Sequence, residues 1–148
     1  MRHSALPAVC LAALALLPAF GAAAQPPALS AHDAWIRATP GAEVAAAYLT
    51  LHNSGTQPVV VSGVRSADAG AAMIHETTMV NGVSTMRAHE PLGIPPGATV
   101  RFAPGGLHIM LHALKRPLAA GDEVPLTLLL EGGGSLTVTA RVRALGDG

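Results

Sequence analysis

Cysteine is almost absent from this 148-residue chain: the single one, Cys10, lies in the apolar segment near the N-terminus. If that segment is removed, no thiol remains. Disulfides, thiolate catalysis and thiolate metal centres, including the blue-copper type, are then excluded. Aromatic residues are nearly as scarce, with Phe20, Trp35, Tyr48 and Phe102 making up the full set. Valine, leucine and alanine must therefore fill any core. An excess of one charge is also missing, since nine Lys and Arg balance nine Asp and Glu. No basic stripe or charge run points to nucleic acid. The elements of hydrolytic or phosphate chemistry are lacking too. There is no Gly-x-Ser-x-Gly, the acids are spread singly, and Gly132-Gly133-Gly134 lies in a strand connection rather than before a helix. The expectation is a protein that is not an enzyme.

The first 24 residues read as a secretory signal peptide. Arg2 and His3 give a short basic start, Leu6 to Phe20 an apolar run, and Ala22-Ala23-Ala24 the small residues that precede cleavage. The apolar run is shorter than the roughly 20 residues of a membrane span. Cys10 could instead be a lipid anchor, but Pro7-Ala8-Val9 is a poor lead-in and the position is early. The reading adopted is cleavage after Ala24 and one exported domain over residues 25–148. About 120 residues suffice for a real core.

Gly and Pro cut that domain into short segments, and none has a helical period. Strands are expected at Ala31–Ala38, Ala45–His52, Val59–Val64, Ala72–Val80, Val83–Ala88, Thr99–Phe102, Leu107–Leu114, Val124–Leu130 and Ser135–Arg143. Pro91 to Gly97 reads as a turn-rich connection. Asn81-Gly82 readily adopts the positive φ values of a type I′ turn. A two-residue turn there sets Val80 opposite Val83, Met79 opposite Ser84 and Thr77 opposite Met86. Eight or nine short strands argue for an all-β sandwich or barrel.

Four methionines lie beyond the leader: Met73, Met79, Met86 and Met110. Three fall within 14 residues, and the fourth is two from His108. Thioether and imidazole together, without cysteine, suit copper better than zinc, magnesium or calcium. On a strand, residues two apart share a face. His108, Met110 and His112 form one such set, and Met73 and His75 another. The hairpin returns Met86 to a diagonal position beside His75.

The spacing from His75 to Met86 is ten intervening residues, and twenty-one more lead to His108-Ile109-Met110. With His75-Glu76-Thr77, Asn81-Gly82 and the run from Gly105 to Leu111, the chain resembles periplasmic copper chaperones of the PCuAC type from Trp35 to Val142. The resemblance implies a cupredoxin-like, immunoglobulin-like β-sandwich. It implies one Cu(I) per monomer, held by His75, Met86, His108 and Met110. It also implies delivery to the CuA centre of cytochrome c oxidase subunit II, with a Sco-type thiol protein as a further partner, and a periplasmic location. Two features depart from the family. Met73 stands where an acidic residue is frequent, and no His- and Met-rich tail precedes Gly148, so no second site of that kind is expected.

Other residues carry blander expectations. Met73 is read as an apolar wall and Met79 as packing with the hairpin. His112, which faces the same way as His108 on a regular strand, is a candidate auxiliary ligand or group behind the ligands, weighed against an ordinary histidine with no part in the site. His32, His52 and His89 are surface residues, and Trp35 and Tyr48 belong to the core or its rim. A copper buffer without a dedicated acceptor is the alternative function, and a metal-free adhesion or scaffold domain is a further one.

Overall fold

The structure, a computed structural model, describes residues 28–146. The expected signal peptide, Cys10 and the cleavage point after Ala24 lie outside the described residues, as do residues 147 and 148. Ten strands are present: β1 (Leu29–Arg37), β2 (Ala45–Asn53), β3 (Val59–Arg65), β4 (Ala69–Val80), β5 (Val83–Ala88), β6 (Leu92–Ile94), β7 (Thr99–Arg101), β8 (Leu107–Leu114), β9 (Glu123–Leu130) and β10 (Ser135–Arg143). No helix occurs among the described residues. The all-β, cupredoxin-like class expected from the sequence is the one found.

The strands run β5-β4-β8-β2-β1-β10-β9-β3-β6, with β7 paired to β2. A further pairing, Val64 with Ala72, joins β3 to β4 and closes the path into a flattened barrel. Closure leaves few open strand edges, and β5 is one of them. β1 and β10 run parallel, with Ile36 beside Val142; the other ladders are antiparallel.

Alternation explains the core. Ala45, Ala47, Leu49 and Leu51 of β2 all point inward and are buried. They meet Ile74, Ile109, Leu111, Val124, Leu126, Leu128 and Val142 from the other strands. Among the described residues, Phe102 and Tyr48 are the only aromatic members of this buried core. Tyr48 lies under Trp35, with ring centres 4.5 Å apart, and Arg37 and Arg143 lie over the Trp35 ring at 5.6 and 4.7 Å. Asn53 is fully buried, and its amide donates to Gln57 O and Ile94 O while its Oδ1 accepts from Gly55 N. Burial without unmet hydrogen bonds is what such a group requires.

Two expectations need correction. The stretch from Pro91 to Gly97 contains strand β6, whose Leu92 and Ile94 are buried against β3. Three residues flanked by prolines are too short for alternation to register in the sequence. β4 also begins three residues earlier than expected, at Ala69, because pairing with β8 extends a small-residue stretch of low intrinsic strand preference.

Candidate metal centre

The hairpin β4–β5 has the expected register. Asn81 and Gly82 take φ of 51° and 77°, as a type I′ turn demands. Thr77 pairs with Met86, Met79 with Ser84 and His75 with Ala88. Asn81 tolerates the left-handed region better than most non-glycine residues.

A second ladder builds the site. β4 pairs with β8 so that His75 faces His108, Met73 faces Met110 and Ala71 faces His112. Directly opposed residues of an antiparallel pair share a face. Met73, His75, Met86, His108, Met110 and His112 therefore project from one face of the β5-β4-β8 ribbon. Their sequence neighbours Ile74 and Ile109 pair on the other face and are completely buried. The ribbon is thus pinned to the core beneath the His/Met face.

The side chains differ in exposure. His108 is 5% exposed, Met73 38% and Met86 54%, while His75, Met110 and His112 are half-buried. The His75 and His108 rings stand edge to face with centres 5.9 Å apart. His75 and His112 are 6.2 Å apart. His108 Nδ1 lies 2.9 Å from Gly106 O. A carbonyl only accepts, so Nδ1 carries the proton and Nε2 keeps its lone pair for a ligand. Gly106 O also accepts from Thr77 N at 3.1 Å, which ties this carbonyl to β4.

The pKa of His75 is lowered, first by burial, then by the neighbouring His108 and His112, against a smaller raising influence of Glu90. A neutral His75 is the form that binds metal. Its Nδ1 and His112 Nε2 are buried and without hydrogen-bond partners. Among the described residues no group of three or more His, Cys, Asp and Glu is arranged to hold an ion. An ion on this face would have to take thioethers as well, which selects a soft metal.

All four residues of the expected ligand set, His75, Met86, His108 and Met110, lie on this face. Met73 and His112 lie beside them. Met79 shares the face but is 67% exposed near the turn, opposite Ser84; with only a short polar side chain across from it, it does not pack as expected. His32 is exposed, whereas His52 and His89 are half-buried. His52 Nδ1 bonds Thr99 Oγ1 and His89 Nδ1 bonds Glu76, each at 3.0 Å. None of these three joins the face. The sequence did not foretell the β4–β8 ladder or the role of Gly106 O; the shared pattern of His and Met two apart on both strands was the only signal for the former.

Fold and site together define a small cupredoxin-like domain with a thiol-free His/Met face. The chain belongs to the LpqE-like family, whose description, "Putative lipoprotein LpqE-like", matches residues 29–142. The putative lipoprotein Lxx21020 of Leifsonia xyli subsp. xyli is 39% identical over 111 residues, covering 74% of this chain. The chain spans 66% of that relative's length and 54% of that of a second. Among solved structures, Cu(I)-bound DR1885 from Deinococcus radiodurans is similar with a TM-score of 0.65 and 34% identity, over 82% of this chain and 81% of that one. The copper-bound PCuAC domain from PmoF2 gives 0.66 and 28%, over 79% and 93%. The PCuAC resemblance read from the sequence thus extends to the three-dimensional fold.

Proposed function

We propose that this chain is a periplasmic Cu(I) carrier that binds one ion per monomer through His75, Met86, His108 and Met110. The observation that carries this reading is the single face from which two imidazoles and two thioethers project. All four donors are neutral, so the ion keeps its charge, and thioethers favour Cu(I) over Cu(II), which prefers nitrogen and oxygen. The copper-bound relatives support the same choice of ion. The protein acts as a carrier rather than a catalyst.

Its acceptor, in this reading, is the CuA centre of cytochrome c oxidase subunit II, with a Sco-type thiol protein acting alongside. Thiolates bind Cu(I) more tightly than thioethers, so transfer to a dithiolate centre runs downhill. Met86, exposed on an edge strand, is the ligand an acceptor reaches first. Residues 1–24 direct export and are cleaved after Ala24; the lipoprotein description of the family fits an exported chain. Intact mass of the secreted protein checks this. A start at Gln25 is expected, and a lipid adduct on Cys10 would contradict it.

The experiment that tests the function is copper transfer. Cu(I)-loaded protein is mixed with a soluble, reduced CuA domain, and the metal is followed by mass spectrometry. Movement to the acceptor is expected. Retention by this chain would instead favour a buffering protein with no dedicated acceptor.

A further inference from the structure

His112 is outside the four-residue spacing, yet its ring is as near to His75 as His108 is. The ring centres are 6.2 and 5.9 Å away. By register, His112 lies four β4 positions from His75, opposite Ala71. The His75 and His112 side chains therefore reach toward each other along the ribbon, across the register position of the Met73–Met110 pair. Ala71 has almost no side chain to fill the space facing His112. Ala113, which follows His112, has a left-handed backbone (φ 50°).

The two buried unpartnered side-chain nitrogens among the described residues are His75 Nδ1 and His112 Nε2. Buried polar atoms are normally paired, and an unpaired couple at one place calls for a ligand. With imidazole nitrogens about 2 Å from a metal, two rings sharing one ion stand about 6 Å apart, centre to centre. Since three imidazoles do not gather around one point, His112 does not simply add to His75 and His108.

We infer that His112 is a fifth copper-binding side chain, which pairs with His75 to hold Cu(I) in a second arrangement flanked by Met73 and Met110. His75 is common to both arrangements. The ion moves between them by exchanging His108 for His112 while His75 holds on, so it is never released to solvent. This inference rests on the Cu(I)-carrier reading above.

The test is a competition titration with Cu(I) and a chromophoric Cu(I) chelator under anaerobic conditions. Wild type, H112L, H112Q, H108A and the double variant H108A/H112L are compared. H112L and H112Q should each weaken Cu(I) binding about twofold, because the His108 arrangement remains in both. In the H108A background, where His112 is the remaining partner of His75, adding H112L should cost more than it does in wild type. In wild-type protein the His112 ring Cε1–H signal should also shift on Cu(I) loading. H112Q keeps a polar group of similar reach, and its unfolding midpoint separates binding loss from misfolding. Wild-type affinity in H112L and H112Q, with H108A unchanged by H112L, would overturn the inference while leaving the carrier reading intact. Failure of wild type to bind Cu(I) would overturn both.

Discussion

Replacing Met86 by alanine separates binding from folding. The side chain is 54% exposed on β5, whose only neighbour strand among the described residues is β4. A surface substitution of this kind changes stability by about 0.5 kcal/mol or less. The same change removes one of four donors to the ion. Loss of a thioether donor should weaken Cu(I) binding at least about tenfold, equivalent to about 1.4 kcal/mol. Urea unfolding of the apo protein and Cu(I) competition with a chelator measure the two quantities on the same samples. Met79→Ala is the control. Its side chain is on the same face but 67% exposed and two places nearer the turn, so neither quantity should move. An unchanged Cu(I) affinity in Met86→Ala, or an equal loss in Met79→Ala, would refute the placement of the site.

His108→Ala should behave differently, because it removes a buried ring and a donor to Gly106 O. Urea melts should show a loss of about 2 kcal/mol together with weakened Cu(I) binding; loss of binding at unchanged stability would contradict its buried, bonded position. Ile109→Ala removes the inward partner of Ile74 directly beneath the face. It should cost about 3 kcal/mol in urea unfolding, and a loss below about 1 kcal/mol would contradict the pinned ribbon. The lowered pKa of His75 sets a pH dependence. Below its ordinary value of 6.5 the unfolded chain takes up a proton that the folded chain resists. Apo stability should therefore fall as pH drops through 6.5 towards the folded-state pKa, and His75→Gln should flatten that fall. Parallel pH profiles for the two proteins would count against this.

Local patterns in the sequence carried much of the site. Asn81-Gly82 set the hairpin register, so the diagonal relation of His75 and Met86 followed from counting. Strand alternation placed His108, Met110 and His112 on one side. The β4–β8 ladder is a different matter. Its partners are separated by a hairpin, β6 and β7, and nothing local states which strands meet. Only the structure brings His75 opposite His108. β6 was hidden because Leu92-Gly93-Ile94 is shorter than a readable period. Met79 was misjudged because it lies at the exposed turn end, where Thr77 and Ser84 are its nearest neighbours on the face and the diagonal Met86 is itself 54% exposed. The 6.2 Å approach of the His112 and His75 rings is set by side-chain direction, which no spacing encodes.

The central claim is that this face selects Cu(I), and metal competition tests it most directly. Apo protein is offered equimolar Cu(I) and Zn(II) under anaerobic, reducing conditions and examined by native mass spectrometry. One Cu(I) per chain, undisplaced by excess Zn(II), is the predicted result. Preferential Zn(II) occupancy, or no bound metal, would contradict it.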